Sequence, residues 1–510
     1  MILPTALVTF VALSCTYAAI GPSASIEIVN KNISPDGYSR SAVLADGEFP
    51  GPLIRGNKGD RFLLNVIDKL TDPSMLMSTS VHWHGIFQNG TNFYDGPSFV
   101  TQCPITPGHS FLHDFVVPNQ AGTFWYHSHL STQYCDGLRG PLVVYDPADP
   151  AKNMYDVDDE STIITLADWY HFPATQAATF PDYDSTLING RGRYDGGPLS
   201  KLAVLSVVKG KRYRFRLVSI TCDPDFVLSI DGHYLTVIEV DGVNHHPVTV
   251  DSIPISPAQR YSFVLNANQK VDNYWVRAPP DGNQDYTNGK HSAILRYLGA
   301  PNVDPTTNST PTQLLLETDL HPLALTPVPG KPFPGGADVV LNMNISYDAT
   351  AARFAINNAS FFPPTAPVLL QILSGSHVAQ DLLPKGSVYE LPPNKVVEVS
   401  FNGGTFDGEH PFHLHGHNFH VIRSAGNSTY NFADPVIRDT VNTGDLTTDK
   451  TTFRFVTDNA GPWFLHCHID WHLEIGLAIV FAENVPAIAK ENPPPAWDQL
   501  CPIYNRSAKN

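Results

Sequence analysis

The chain has 510 residues, of which 42% are apolar and only 16% charged, and it carries a net charge of −17 with His neutral. That length implies two or three domains, each large enough to bury its own core. The composition excludes a disordered chain. The acidity excludes a nucleic-acid partner and suits solubility outside the cell.

In chain order, residues 2–19 come first: they are mostly apolar, lack a charged side chain and end in the small residues Ala18 and Ala19. This pattern predicts a secretory signal over residues 1–18, too short and too terminal for a membrane anchor. No later segment offers a long uncharged apolar run. The mature protein is therefore expected to be secreted and extracellular, with no membrane partner. Seven Asn-x-Ser/Thr sequons, at Asn32, Asn89, Asn308, Asn344, Asn358, Asn427 and Asn505, fit the same compartment.

Beyond the signal, short β-type runs alternate with Gly, Pro, Asn and Asp. Examples are Arg61–Val66, Arg212–Leu217, Tyr261–Leu265 and Val396–Phe401. Such alternation at frequent spacing predicts an all-β protein of sandwiches or barrels. With 36 Gly and 44 Pro, many turns are expected rather than long helices. Two turn-rich seams, from Asp146 to Ala151 and from Gly299 to Gln313, read as linkers. They divide the chain into units at 19–150, 151–312 and 313–510, each of ordinary domain size.

Four histidine clusters fall in the outer two units. The first unit holds His82-Trp83-His84 and His127-Ser128-His129. The third holds His410-Pro411-Phe412-His413-Leu414-His415 and His466-Cys467-His468-Ile469-Asp470-Trp471-His472. Imidazole and thiolate are the side chains that transition metals prefer. Along a strand, His-x-His places two imidazoles on one face, about 6–7 Å apart at Cα. Four such pairs (82/84, 127/129, 413/415 and 466/468) could surround three copper ions, two ligands for one ion and three for each of the others. Because the clusters lie in the first and third units, their ligands are expected to meet where those units touch.

The same alternation sends the Cys467 thiolate to the face opposite His466 and His468. A separate His₂Cys site there would select blue copper, with His472 and His410 as candidates for its imidazoles. The backbone through Cys467 would then join two metal sites by a few covalent bonds. None of the five Met residues (1, 75, 77, 154, 343) lies near Cys467, and ten residues beyond it stands Leu477, which cannot coordinate. A three-coordinate copper is expected. Of six cysteines, Cys15 lies in the signal and Cys467 is claimed as a ligand. Cys103, Cys135, Cys222 and Cys501 remain, giving two disulfides with three possible pairings.

The motifs Ser80-Val-His-Trp-His-Gly, Gly122-Thr-Phe-Trp-Tyr-His-Ser-His, His410-Pro-Phe-His-Leu-His-Gly-His and Gly461-Pro-Trp-Phe-Leu-His-Cys-His-Ile-Asp-Trp-His resemble those of the fungal laccases, within the blue multicopper oxidases. The resemblance covers essentially all of the mature sequence. It implies three cupredoxin-like Greek-key domains, the middle one without copper but contributing to the substrate pocket. It implies four coppers: one type 1, one type 2 and two type 3. His410, Cys467 and His472 would hold type 1, and His82 and His413 type 2. His84, His127, His129, His415, His466 and His468 would hold the type 3 pair. It also implies bridges Cys103–Cys501 and Cys135–Cys222. Such an enzyme takes single electrons from phenolic or other aromatic donors, by analogy at His472, and reduces O₂ to water. It would act as a monomer, and lignin degradation, pigment formation and detoxification are all compatible with that chemistry.

Three carboxylate positions carry weaker signals. Asp223 matches the position that hydrogen-bonds substrate in the family, where it would take the phenolic proton; the competing reading is a turn residue before Pro224. Asp95, in Tyr-Asp-Gly-Pro, would orient a ligand or relay protons, or simply form a turn. Asp470 and Glu474 flank His472 as supporting or surface groups. His417 continues the 413/415 alternation but is left out with His420, following the family pattern. His109, His113, His233, His245 and His246 are expected to make ordinary hydrogen bonds or face solvent. Phe354, Phe361 and Phe362 are expected to be core rather than donor pocket. A ferroxidase would want carboxylates around the blue copper. The axial Leu and the Asp223 context weigh against ascorbate oxidase, and the intact ligands weigh against a metal-free structural protein.

Overall fold

The computed structural model describes residues 19–376, 382 and 384–507; the expected signal, with Cys15, lies outside them. Three pairs of sheets follow one another along the chain. In the first pair, Ser23–Ile33, Arg40–Ala45, Arg61–Asp68 and Ser110–Val116 form one four-stranded sheet. Ile54–Asn57, Val81–His84, Gly122–Ser128 and Arg139–Tyr145 form the other. Seven- and five-stranded sheets make the second pair, over residues 163–297. Two five-stranded sheets and a short hairpin make the third, over residues 339–483.

The predicted runs are strands. Arg61–Asp68 shows the pattern of a half-buried strand, with Phe62, Leu64, Val66 and Asp68 inward. Arg212–Ser219, Arg260–Asn266 and Val396–Asn402 are strands as well. The site strands differ. Val81–His84, Gly122–Ser128, Pro411–Leu414 and Gly461–Cys467 are buried at every position, because both faces are covered.

Register then brings ligand types face to face. Val81–His84 pairs antiparallel with Gly122–Ser128, setting His82 opposite His127. Pro411–Leu414 pairs antiparallel with Gly461–Cys467, setting His413 opposite His466 and Phe412 opposite Cys467.

The apolar cores run across the sheet pairs. One buried cluster joins side chains from residues 26–144 to Phe464, Ala478 and Val480 of the last sheet. Another joins the middle sheets to Phe401, Cys467 and Leu477. The C-terminal helix Pro495–Ser507 returns to the first sheet pair: Trp497 Nε1 donates to the Thr101 carbonyl at 2.9 Å, and Cys501 bridges Cys103. A second disulfide joins Cys135 to Cys222. The segment 299–313 lacks regular structure but is tied down, with Arg193 on Asp304 and Arg277 on the Thr307 carbonyl.

Candidate metal centre

Eight buried imidazoles converge between strands Val81–His84 and Gly122–Ser128 on one side and Pro411–Leu414 and Gly461–Cys467 on the other. They fall into sets whose ligand atoms lie within 4.8 Å of one another: His84, His127 and His468; His129, His415 and His466; and His82 with His413, within the same reach of His84. Three of the four His-x-His pairs straddle two sets, while His84 also lies with His82. His127 joins one and His129 another, and the same holds for 466/468 and 413/415.

Opposite them, Cys467 Sγ lies 3.7 Å from His410 Nδ1 and 3.6 Å from His472 Nδ1, with 3.0 Å between the two nitrogens. The thiolate thus belongs to one set while its neighbours His466 and His468 belong to two others. The backbone closes around it: Cys467 N–H donates to the Leu477 carbonyl at 3.0 Å, and Leu477 N–H to the His472 carbonyl at 3.0 Å. Leu477 is fully buried in the same core cluster as Cys467.

The ring nitrogens pass a test for metal. His82, His127 and His413 each tie Nδ1 to a backbone carbonyl: Asp95 at 2.7 Å, Ser128 at 2.8 Å and Asp439 at 2.9 Å. Their Nε2 atoms, with those of His129 and His468, are buried without a partner. For His84 the outer nitrogen is Nε2, 3.4 Å from Asp439 Oδ1, and Nδ1 is the orphan. His415 and His466 point their Nε2 atoms at each other, 3.1 Å apart. Buried orphan nitrogens are costly. One nitrogen fixed outward and the other aimed at a common centre is the arrangement of metal-bound imidazole.

Burial, followed by the neighbouring imidazoles, holds His127, His129, His415 and His468 well below the usual histidine range, which keeps them as neutral ligands. Burial pushes the Cys467 thiol well up, so only a bound cation would make the thiolate stable there.

Carboxylates brace the outer rim. Asp95 accepts from His82 through its carbonyl and sets Oδ2 2.8 Å from His415 Nδ1. The turn behind it needs Gly96, at φ +103°, where a Cβ would sit 2.0 Å from the Val81 carbonyl oxygen. Asp439 takes both Nη atoms of Arg260 at 2.7 and 2.6 Å. Burial would raise its carboxyl, but the Arg260 charge and hydrogen bonds from His413 and His84 hold it well below the carboxylate range. The Tyr134 hydroxyl donates to the His468 carbonyl at 3.1 Å. Arg260, Asp439 and Tyr134 carry no motif, and sequence reasoning missed them.

The other singled-out residues fall elsewhere. Asp223 sits half-buried beside the Cys135–Cys222 bridge. Burial, then the charges of Asp168, Asp281, Asp407 and Asp182, push its carboxyl well up. Asp470 is buried and donates its N–H to the Cys222 carbonyl, whereas Glu474 accepts from Ser131. His417 lies 3.1 Å from Glu483. His233 bonds Tyr297, His109 lies against Thr106, His245 bonds the Val243 carbonyl, His113 packs on Trp83 and His246 is exposed. Phe354 is fully buried, 4.8 Å from the His472 ring, and Phe361 packs on Phe464. Phe362 is half exposed beneath Arg353. The aromatic side chains that sequence reasoning missed near His472 are Phe180, at 6.0 Å, with Phe406 and Tyr347 stacked beyond it.

Three sequence models described as multicopper oxidase match the chain, over residues 27–149, 160–300 and 361–487. Laccase-2 of Trametes villosa is 61% identical over 98% of this chain and 97% of its own. Laccase-2 of Pleurotus ostreatus is 60% identical over 97% and 95%. Among solved structures, the laccase of Botrytis aclada superimposes with TM-score 0.83 at 31% identity, covering 98% of this chain and 94% of that one. Fet3p, a multicopper oxidase that functions in iron import, gives TM-score 0.83 at 27% identity, covering 94% of each. The three sheet pairs are thus cupredoxin-like.

Proposed function

This chain belongs to the multicopper oxidase family, and from that premise we propose how its side chains divide four coppers. The protein is a laccase-type oxidoreductase that oxidises aromatic donors and reduces O₂ to water. His410, Cys467 and His472 hold the blue type 1 copper. His82 and His413 hold type 2. His84, His127 and His468 hold one type 3 copper, and His129, His415 and His466 the other. When bound, the metals supply a one-electron acceptor and the site of four-electron O₂ reduction.

The chain's own part is placement. Asp95 and Asp439 fix the tautomers and ring planes of four ligands between them. Leu477, buried in the same core cluster as Cys467, has no atom that could ligate a copper held there. Asp223, its carboxyl raised, takes the phenolic proton as the electron leaves.

We take 19–150, 151–312 and 313–510 as the domains, the second contributing Asp223 to the donor side. We take the protein to work as a monomer: one chain supplies every ligand, so no second copy is needed to complete the metal sites. Secretion is supported by the two disulfides and by the exposure of six of the seven sequon asparagines, all but Asn427. Among the described residues no helix is long and apolar enough to cross a membrane.

The observation that carries the copper assignment is the division at Cys467, whose thiolate and two flanking imidazoles serve three different sets. Its test is Cys467→Ser in the purified holoenzyme. The expected result is loss of the absorption near 600 nm and of 2,6-dimethoxyphenol oxidation, with close to three coppers retained. A variant that keeps its blue colour overturns the assignment. Comparing Fe²⁺ with 2,6-dimethoxyphenol as donor to the parent enzyme separates laccase from ferroxidase.

A further inference from the structure

The two imidazoles facing Cys467 turn their Nδ1 atoms inward, so each carries its proton on Nε2 and points it away from the thiolate. One short loop meets both. His410 Nε2–H donates to Thr405 Oγ1 at 2.9 Å, and His472 Nε2–H donates to Asp407 Oδ2 at 3.0 Å. The loop is a tight one. Thr405 bridges Gly408, and Asp407 itself lies at φ +64°, a left-handed conformation that Asp tolerates better than most residues.

The Asp407 side chain is 45% exposed while that of His472 is 1% exposed, so the carboxylate is the part of this pair that an approaching donor meets. Among the described residues no Lys or Arg lies within ion-pair distance of Asp407. Asp223 stands close enough to feel its charge, and Asp281 and Asp182 add to the same negative rim. On the other side, half-exposed Phe406 stacks on Tyr347 at 4.2 Å and meets Phe180, which leans over the His472 ring. Next to His472, then, are an aromatic wall and a fixed anion.

We propose that Asp407 is a positioning and specificity residue of the donor site: its carboxylate, bonded to the outward nitrogen of His472, favours the oxidised blue copper and selects cationic aromatic donors over anionic ones. This rests on the assignment of His472 to the blue copper given above. The physical reason is the same for both effects. A negative charge one imidazole away stabilises the more positive metal state, and it attracts or repels a charged donor in the same cleft. The hydrogen bond alone would do neither to the same extent. Glu409, on the same loop, makes no hydrogen bond or ion pair with His472 among the described residues, and its charge is directed at Asp225.

The experiment uses the copper-loaded enzyme, and the parent must first show its 600 nm band and oxidise 2,6-dimethoxyphenol; failure there would defeat the blue-copper assignment and leave Asp407 aside. Asp407→Asn keeps an oxygen that can accept from His472 but removes the charge. Asp407→Ala removes both and serves if the amide variant folds poorly. Redox titration of the 600 nm band is expected to give a higher potential in both variants. With a phenol bearing a trimethylammonium group and the same phenol bearing a sulfonate, KM is expected to rise about three- to tenfold for the cation and to fall for the anion. An unchanged or lower potential in folded, four-copper variants overturns the proposal. So do KM values that move together for the two donors.

Discussion

Arg260 and Asp439 form a two-pronged ion pair, Nη1 and Nη2 at 2.7 and 2.6 Å from the two carboxylate oxygens, with both side chains at or near zero exposure. Arg260 opens the strand Arg260–Asn266, Asp439 sits at the bend between Ile437–Arg438 and Thr440–Asn442, and the pair stands directly behind His84 and His413. Burying two charges costs desolvation, which their attraction and hydrogen bonds offset only when both are present. Removing one leaves the other uncompensated.

Arg260→Ala should therefore cost about 3–5 kcal/mol of stability and loosen His84 and His413 together. The expected signature is a lower thermal midpoint with loss of type 2 copper from the electron paramagnetic resonance spectrum, while the blue band stays. A variant with full type 2 signal would show that Asp439 holds its imidazoles without the guanidinium.

The histidine clusters were legible because strand alternation is a local rule. At Cys467 it sends the thiolate one way and the two imidazoles the other, and the structure has them so. Alternation also explains where it stops. Strand Pro411–Leu414 ends before His415, and Gly416 follows at φ +73°, with Trp463 packed 2.6 Å from where its Cβ would be. The turn takes His417 out of the alternation and toward Glu483. Arg260, Asp439 and Asp407 were not legible, because each acts on a ligand through the tertiary fold. Asp439 reaches His84 across 355 positions, and a lone Asp in a loop has no periodicity to betray it. Phe354, expected as core, is core, but nothing in the sequence placed it against His472.

Leu477 lies between the backbone of Cys467 and that of His472, accepting from one and donating to the other. Its side chain is fully buried and cannot coordinate. A methionine of similar volume packs at little cost and offers a weak thioether donor to the oxidised copper. Leu477→Met is expected to lower the potential of the blue site. Redox titration giving an equal or higher value would show that the thioether does not reach the metal.

Asp223 carries a carboxyl raised by burial and by its acidic neighbours. A base of raised affinity accepts a phenolic proton more readily than an ordinary aspartate does. Asp223→Asn should depress kcat/KM for phenols by about 10²-fold. Non-phenolic one-electron donors, which release no proton at that step, should lose much less. The gap should also narrow at higher pH, where the phenol is already ionised. Equal losses for both donor classes would assign Asp223 to the turn before Pro224.

Asp68 ends the strand Arg61–Asp68 with its side chain fully buried. Oδ1 accepts from the Leu70 N–H at 2.9 Å, but Oδ2 has no partner. Burial pushes its carboxyl up to about 7, against the Leu70 hydrogen bond. An unfolded aspartate titrates near 3.9, so between about pH 4 and about pH 7 the folded protein binds the extra proton. Stability then falls as pH rises through that window and levels off above it. The upper limit of the loss is about 4 kcal/mol. Asp68→Asn keeps the acceptor for Leu70 and cannot ionise. It should raise the thermal midpoint at pH 8 and leave it nearly unchanged at pH 4. Glu491, raised to about 7 by burial, titrates with the same sign, so a shallower slope of that sign should persist in the variant. Thermal scans from pH 4 to pH 8 giving the same slope for parent and Asp68→Asn would show that the Asp68 carboxylate is already ionised, and solvated, in the native fold.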